Sequence, residues 1–138
     1  MILLIRHASA GDRDEWEGDD RLRPLDHRGF RQAAELVGLL ASYEIDRIVS
    51  SPAVRCVQTV EPLAQTRRID VEPREGLSEE RQEDDGVALV RSLQGGRVAV
   101  SCHGGLSEAV CGESQKKGEA LVLGGSEVLA RVRATGRS

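Results

Sequence analysis

The sequence predicts an α/β fold, a three-layer α/β/α sandwich with a mostly parallel sheet and an antiparallel edge strand. Three observations point there. Short aliphatic runs bounded by charge, at residues 1–5, 45–49 and 97–102, read as strands buried on both faces. Segments with helical spacing lie between them, and such alternation over one short chain implies a sheet with helices on both faces. The tail, residues 119–123 and 127–132 around Gly124-Gly125, alternates like a hairpin and so places antiparallel pairing at one edge.

Taken in order, Met1-Ile2-Leu3-Leu4-Ile5 is the first strand. Residues 11–20 are polar and punctuated by glycine, the composition of a solvated loop. Asp26 caps an amphipathic helix that runs to Leu40 with Phe30, Ala33, Ala34, Val37 and Leu40 at helical spacing. After the strand at 45–49, Ser51 caps a second helix, Pro52 takes its first position, and Pro62 kinks or stops it near residue 65. Residues 68–71 suit a short strand and 73–85 a charged, irregular loop. A short helix over 86–93 stops at Gly95-Gly96, and the strand at 97–102 leads through Gly104-Gly105 into a helix over 106–111. There is no repeat, low-complexity segment or linker, so residues 1–138 are expected to form one domain. A chain of this length buries about two-thirds of its unfolded surface, enough for a core without staples. Trp16, Phe30 and Tyr43 are the only aromatic residues, so that core is aliphatic.

A net charge of −4 argues against the basic footprint of a protein that tracks nucleic acid polymers. The apolar run at residues 1–5 ends at Arg6, too short for a signal segment or a membrane span. Cys56, Cys102 and Cys111 are odd in number and lack a C-x-x-C spacing, which suits reduced thiols rather than a disulfide framework or zinc site. A soluble cytoplasmic protein without membrane contact is expected, with no metal and no other cofactor implied. Oligomeric state leaves no trace in the sequence.

In open α/β sheets, ligands bind beyond the carboxyl ends of strands, where strand order reverses. Arg6 and His7 leave the first strand, Arg55 lies in the first turns of the helix after the second, and His103 leaves the strand at 97–102 beside Gly104. Two histidines and two arginines therefore meet at one rim. A guanidinium is a permanently charged fork matched to phosphate oxygens, and a helix start adds N–H donors. A neutral imidazole attacks phosphorus without prior deprotonation, which makes His7 the candidate nucleophile. Arg6, Arg55 and a protonated or N–H-donating His103 would neutralise charge on the equatorial oxygens.

Five segments in order, Leu4-Ile5-Arg6-His7-Ala8, residues 24–33, Ser50-Ser51-Pro52-Ala53-Val54-Arg55-Cys56-Val57-Gln58-Thr59, Leu77-Ser78-Glu79 and Ser101-Cys102-His103-Gly104-Gly105, resemble the histidine phosphatase superfamily. The interval between Arg55 and His103 leaves no room for a large cap insertion. The chain therefore looks like the short branch typified by the SixA phosphohistidine phosphatases, and is also similar to the phosphatase domain fused to some actinobacterial Nudix hydrolases. The resemblance implies a phosphoglycerate-mutase-like fold without the cap. It also implies transient phosphorylation of His7 and a phosphate pocket of Arg6, Arg55, His103 and Gly104. Glu79 sits where many members keep the acid that protonates the leaving group and then activates water, with adjacent Glu80 as the other candidate. Ala8 replaces the glycine usual after the motif histidine. The expected function is a metal-independent phosphatase with a phosphohistidine intermediate, acting on phosphohistidine proteins or small phosphoesters. The alternatives are a catalytically weak phospholigand-binding or regulatory module, and a nucleotide phosphatase partnering a Nudix hydrolase.

Other residues have simpler readings. Trp16 either folds over the pocket as a lid or packs locally. The carboxylates of residues 12–20 lack the spacing of a calcium loop. Alternation turns Cys102 away from His103. Ser9 and Ser107 are hydroxyls near the rim, His27 is a solvent-facing or capping residue, and Lys116-Lys117 reads as a surface pair.

Overall fold

Alternation along the buried strands decides how the molecule is layered. β1 (Ile2–Arg6) sends Leu3 and Ile5 into one apolar layer and Ile2 and Leu4 into the other. The computed structural model describes residues 1–137. In it β2 (Arg47–Ser50), β3 (Val71–Pro73), β4 (Val98–Cys102), β5 (Glu119–Gly124) and β6 (Glu127–Arg133) join β1 in one sheet. The strand order is β3-β2-β4-β1-β5-β6. The first four of these pair in parallel; β5 runs against β1, and β6 against β5. The reversed strand is thus β5, one in from the edge that β6 forms.

On one face, α1 (His27–Leu39) and α2 (Val54–Arg67) bring Leu36, Val60 and Leu63 against Leu3, Ile5 and Ile48. On the other, α3 (Val87–Ser92) and α4 (Leu106–Cys111) bring Val87, Val90 and Leu106 against Ile2, Leu4 and Val100. Both layers are aliphatic, as three aromatics require, and each fully buried Leu, Ile or Val contributes about 1.5–3 kcal/mol.

Asp26 caps α1 as expected, its carboxylate accepting from the Gly29 N–H. The buried stripe of α1 differs from the expected one. It runs through Gly29, Gln32, Ala33 and Leu36, while Phe30 and Ala34 are exposed. The cause is close approach: a Cβ on Gly29 would stand 1.9 Å from the Ser9 carbonyl oxygen, so the first turn docks glycine-first on the chain leaving β1. α2 also departs from expectation. It starts at Val54 with Ala53 as its cap residue, so Pro52 lies outside it, and it continues past Pro62 to Arg67. Ser51 stands two residues before the cap position; its Oγ accepts from the Ala53 N–H at 3.3 Å and also meets a side chain of the site described below.

Between α2 and β4 the chain holds β3, short turns at Glu75–Leu77 and Gln82–Gly86, and α3. Among the described residues, no helix is long and apolar enough to cross a membrane.

Candidate active site

Strand register assembles the site. Arg6 of β1 stands opposite Cys102 of β4, and the next residue, His7, donates its N–H to the Cys102 carbonyl at 2.9 Å. Ser50 of β2 stands opposite Ser101 of β4, and Ser51 donates to the Ser101 carbonyl at 2.9 Å. Three strand ends therefore finish level, with His7, Ser51 and His103 leaving them. The helices that follow β1 and β4 go to opposite faces of the sheet, which opens a crevice between the two histidines. Their rings lie 5.6 Å apart, edge to face.

His7 is 5% exposed. Its Nδ1 lies 2.8 Å from the Ala8 carbonyl oxygen, an atom that only accepts, so Nδ1 carries the proton and Nε2 keeps its lone pair. Burial first, and then the charges of His103, Arg55 and Arg6, lower its pKa to about 3 against the raising effect of that carbonyl. The ring is neutral at physiological pH. Ala8 is fully buried with Ala10, Leu25 and Ala33, and its N–H donates to Thr59 Oγ1 at 3.0 Å, so the methyl fits where the family usually has glycine.

His103 is buried too, with Nε2 2.8 Å from Ser51 Oγ and Nδ1 3.5 Å from Arg55 Nη2. A guanidinium only donates, so Nδ1 faces it as acceptor and the ring proton points toward Ser51. Burial and Arg55 hold the His103 pKa below the ordinary range. Gln82, 1% exposed, clamps this corner: it accepts from the His103 N–H at 3.2 Å and donates to the Gly104 carbonyl at 2.9 Å.

Arg55 is among the largest fully buried side chains. Nη1 donates to the Asp20 carbonyl at 2.8 Å and Nη2 to the Asp20 carboxylate at 3.0 Å, while Nε is buried without a partner. Arg6 donates through Nη1 to the Gln115 carbonyl at 2.6 Å, and its Nε is likewise buried and unpartnered. Gly104 packs on the face of that guanidinium, where a Cβ would come within 2.9 Å of Cζ. A buried donor left without a partner costs about 1–3 kcal/mol.

Glu79 lies 3.6 Å from His103 Nδ1 and 3.7 Å from Arg55 Nη2, and both its oxygens accept from Arg13 Nη2 at 2.8 and 2.9 Å. This pair divides the site. Arg6, His7 and Gly104 line a cleft of about 720 Å³, and Arg55 and His103 line a neighbouring pocket of about 270 Å³. Arg13 and Glu79 border both, whereas Glu80 borders only the smaller.

Arg6, His7, Arg55, Glu79, Glu80, His103 and Gly104 thus line two adjoining hollows. Arg13, Asp20, Arg23 and Gln82 escaped sequence reasoning. Arg23, 5% exposed, donates to the Ala10 carbonyl at 2.6 Å and to Asp20 Oδ1 at 3.0 Å. All but Gln82 lie in the stretch read as solvated loop or just beyond it, where no periodicity marks a residue. Trp16 packs locally, with Nε1 donating to the Asp19 carbonyl at 2.9 Å, and lines neither cleft. Ser9 donates to Asp26 Oδ2 at 2.7 Å. Cys56 Sγ lies 3.6 Å from His103 Nε2, but burial pushes its thiol up to about 12, and Cys102 packs in the opposite layer. Among the described residues, no group of three or more His, Cys, Asp or Glu is arranged to hold a metal ion.

The family model described as Histidine phosphatase superfamily (branch 1) matches residues 2–86. A SixA protein of Agrobacterium tumefaciens superposes with a TM-score of 0.81 at 23% identity, covering 95% of this chain and 96% of that one. The protein histidine phosphatase SixA, in complex with tungstate, superposes with a TM-score of 0.78 at 21% identity, covering 96% of each chain. At these identities the two structures establish the fold. An 8-oxo-(d)GTP phosphatase of Mycolicibacterium smegmatis is 48% identical over 64 residues, which are 46% of this chain and 20% of that protein. The matched segment is therefore a small part of its length.

Proposed function

The chain belongs to branch 1 of the histidine phosphatase superfamily; we propose that it is a phosphatase that works without a metal ion, through a phosphohistidine intermediate on His7. The observation that carries this is the His7 ring itself. Its Nδ1 proton is tied to the Ala8 carbonyl and its pKa is held near 3, which leaves Nε2 a free lone pair beside Arg6 and His103.

In the first step Nε2 attacks phosphorus, the N–P bond forms, and the bond to the leaving group breaks. The leaving group takes a proton from the Glu79 carboxyl. In the second step Glu79 takes a proton from water, the water oxygen bonds phosphorus, and the N–P bond returns its electron pair to Nε2. Phosphate departs. Arg6 and Arg55 supply the charge and donors that the three equatorial oxygens require, while the neutral His103 ring, its N–H turned to Ser51 rather than free to donate as the sequence suggested, lines the pocket beside them. Glu79 is preferred to Glu80 for the acid because it borders both clefts and lies 3.6 Å from His103.

The substrates in this reading are phosphohistidine proteins or small phosphoesters, met in a reducing cytoplasm that suits three unpaired thiols. The open rim supports either, and the tungstate complex of the SixA structure supports an oxyanion as a ligand. The 8-oxo-(d)GTP relative supports nucleotides among the phosphoesters.

The test is a rapid acid-free quench with substrate carrying labelled phosphate. Label on the protein that is stable in base, lost in acid and absent from His7→Ala is the expected result. Turnover unchanged in His7→Ala would overturn the reading.

A further inference from the structure

A second hollow, of about 370 Å³, shares Arg6 and Lys117 with the His7 cleft. Arg28, Lys116 and Arg133 also line it, and no carboxylate does. Five cationic side chains around one concavity make a steep local field in a chain of net charge −4. None of the five is in an ion pair among the described residues, although Arg13, Arg21, Arg23, Arg47, Arg55 and Arg74 all are. The nearby Asp26 carboxylate is already occupied by Ser9, Gly11 and Gly29. Burial first, and then the charges of Arg6 and Arg23, hold the Lys117 ammonium below the ordinary lysine range against the opposing charge of Asp26.

The hollow stands on a fixed floor. Gln32, 1% exposed, accepts from the Ser9 N–H at 2.8 Å and donates to the carbonyls of Ala134 at 2.9 Å and Lys117 at 3.3 Å. It thereby ties together the exit of β1, the turn at residues 115–118 and the chain after β6. Gly118 donates to the Arg6 carbonyl at 3.2 Å, and Gln115 Nε2 to the Leu4 carbonyl at 2.7 Å. Backbone bonds therefore set where Lys116 and Lys117 stand relative to Arg6 and His7.

We propose that this hollow is a second anion subsite, which binds a phosphate group carried by the same small molecule whose other phosphoryl group meets His7. The proposal rests on the reading of the His7 cleft as a phosphoryl-transfer site. Arg6, common to both concavities, ties the two anions to one scaffold. A hollow enclosed by side chains takes a compact anionic group better than the convex face of a protein, so the substrate class is a metabolite with two phosphates.

The experiment compares p-nitrophenyl phosphate, a nucleoside 5′-diphosphate and a nucleoside 3′,5′-bisphosphate in the wild type and in the double variant Lys116→Ala/Arg133→Ala. Both positions border the second hollow but not the His7 cleft. Arg68→Gln/Arg91→Gln removes equal charge elsewhere. Loss of two charge-assisted contacts to phosphate raises KM for a two-phosphate substrate about tenfold in the first double variant only, and changes that of p-nitrophenyl phosphate less than twofold. Whichever two-phosphate compound loses more identifies the linkage. An equal change for all substrates, or none, overturns the subsite. Calorimetric titration of the same compounds separates this proposal from the one before it. A two-phosphate preference abolished by Lys116→Ala/Arg133→Ala, in a protein that releases no phosphate, keeps the subsite and refutes the phosphatase mechanism. Equal affinity for one- and two-phosphate compounds refutes the subsite whatever the turnover.

Discussion

Gly104→Ala adds one methyl group at the point where the chain touches Arg6. The new Cβ would lie 2.9 Å from Arg6 Cζ and Nη2 and 3.0 Å from Nε. Ordinary carbon contacts begin at about 3.5–4.0 Å, so the guanidinium must retreat by about 0.6–1 Å. Its Nη1 is held to the Gln115 carbonyl at 2.6 Å, and the retreat sacrifices either that bond or the aim of the fork. A misplacement of about 1 Å in a positioning group costs on the order of 100-fold in rate. Stability barely changes by contrast. Gly104 is not among the positive-φ glycines, and alanine at a compatible glycine position gains about 0.4–1 kcal/mol through the unfolded state, which offsets the crowding.

Gly105→Ala reverses the signature. Its φ is 103°, so alanine there costs about 1–2 kcal/mol of backbone strain, while its Cβ meets only ordinary contacts with Glu83 and Gln82 at 3.6 and 3.7 Å. Steady-state kinetics on p-nitrophenyl phosphate and thermal midpoints for both variants make the comparison. If Gly104→Ala keeps kcat/KM within twofold of wild type, Arg6 does not hold the phosphoryl group. If it lowers the midpoint more than Gly105→Ala does, the division between function and stability is wrong.

Three further outcomes are expected. The His7 pKa, lowered from 6.5 to about 3, means that between those values only the unfolded imidazole takes a proton, so stability falls as pH drops from 6.5 toward 3, at up to about 1.4 kcal/mol per pH unit. Urea midpoints between pH 7.5 and 4.5 measure this slope together with that of His103, whose pKa is lowered to about 4; His7→Gln should remove the His7 share, about half, and parallel profiles would contradict it. Asp20→Asn withdraws the carboxylate charge from Arg55 and Arg23, each 3.0 Å away, so inorganic phosphate should inhibit several-fold more tightly while stability drops by about 1 kcal/mol. Weaker inhibition would refute the competition of Asp20 with anions for Arg55. Gln82→Ala leaves the His103 N–H and the Gly104 carbonyl without their buried partner, which should lower unfolding free energy by about 1–3 kcal/mol; an unchanged denaturation midpoint would count against the clamp.

What the sequence revealed and what it hid divide along physical lines. Buried strands announce themselves because burial on both faces demands continuous aliphatic runs, and strand ends then name Arg6, His7 and His103. Helix α1 was visible through its Asp26 cap, but its rotation was not, because the contact between Gly29 and the Ser9 carbonyl joins residues far apart in sequence. Ser51 looked like a cap for the same kind of reason: its other partner, His103, arrives only through strand register. Gln32, Gln82 and Gln115 stayed invisible altogether. Each is a buried amide whose value lies in pairing backbone groups of distant segments, and no local pattern of charge or hydropathy marks such a residue. Lys116-Lys117 is an exposed pair, as its sequence suggests; what no local pattern marks is that the turn carrying it is bonded to the end of β1.

The acidic loop after β1 is the part whose meaning changes most. Residues 12–20 owe their polarity to more than water. Asp20 neutralises Arg55 and Arg23, and Arg13 in turn holds Glu79. A guanidinium as buried as Arg55 is costly without an opposite charge, because desolvation removes several kcal/mol that only a close anion restores. The fold meets that need with a carboxylate that is 37% exposed, on a loop rather than in the core. A phosphoryl dianion that takes Asp20's place exchanges one anion for another against a cation already desolvated, so the largest electrostatic cost of binding has been met during folding. The same exchange frees Asp20 to water, where its exposure makes release cheap. Affinity for the oxyanion and stability of the free protein are thus set by competition for Nη2 of Arg55.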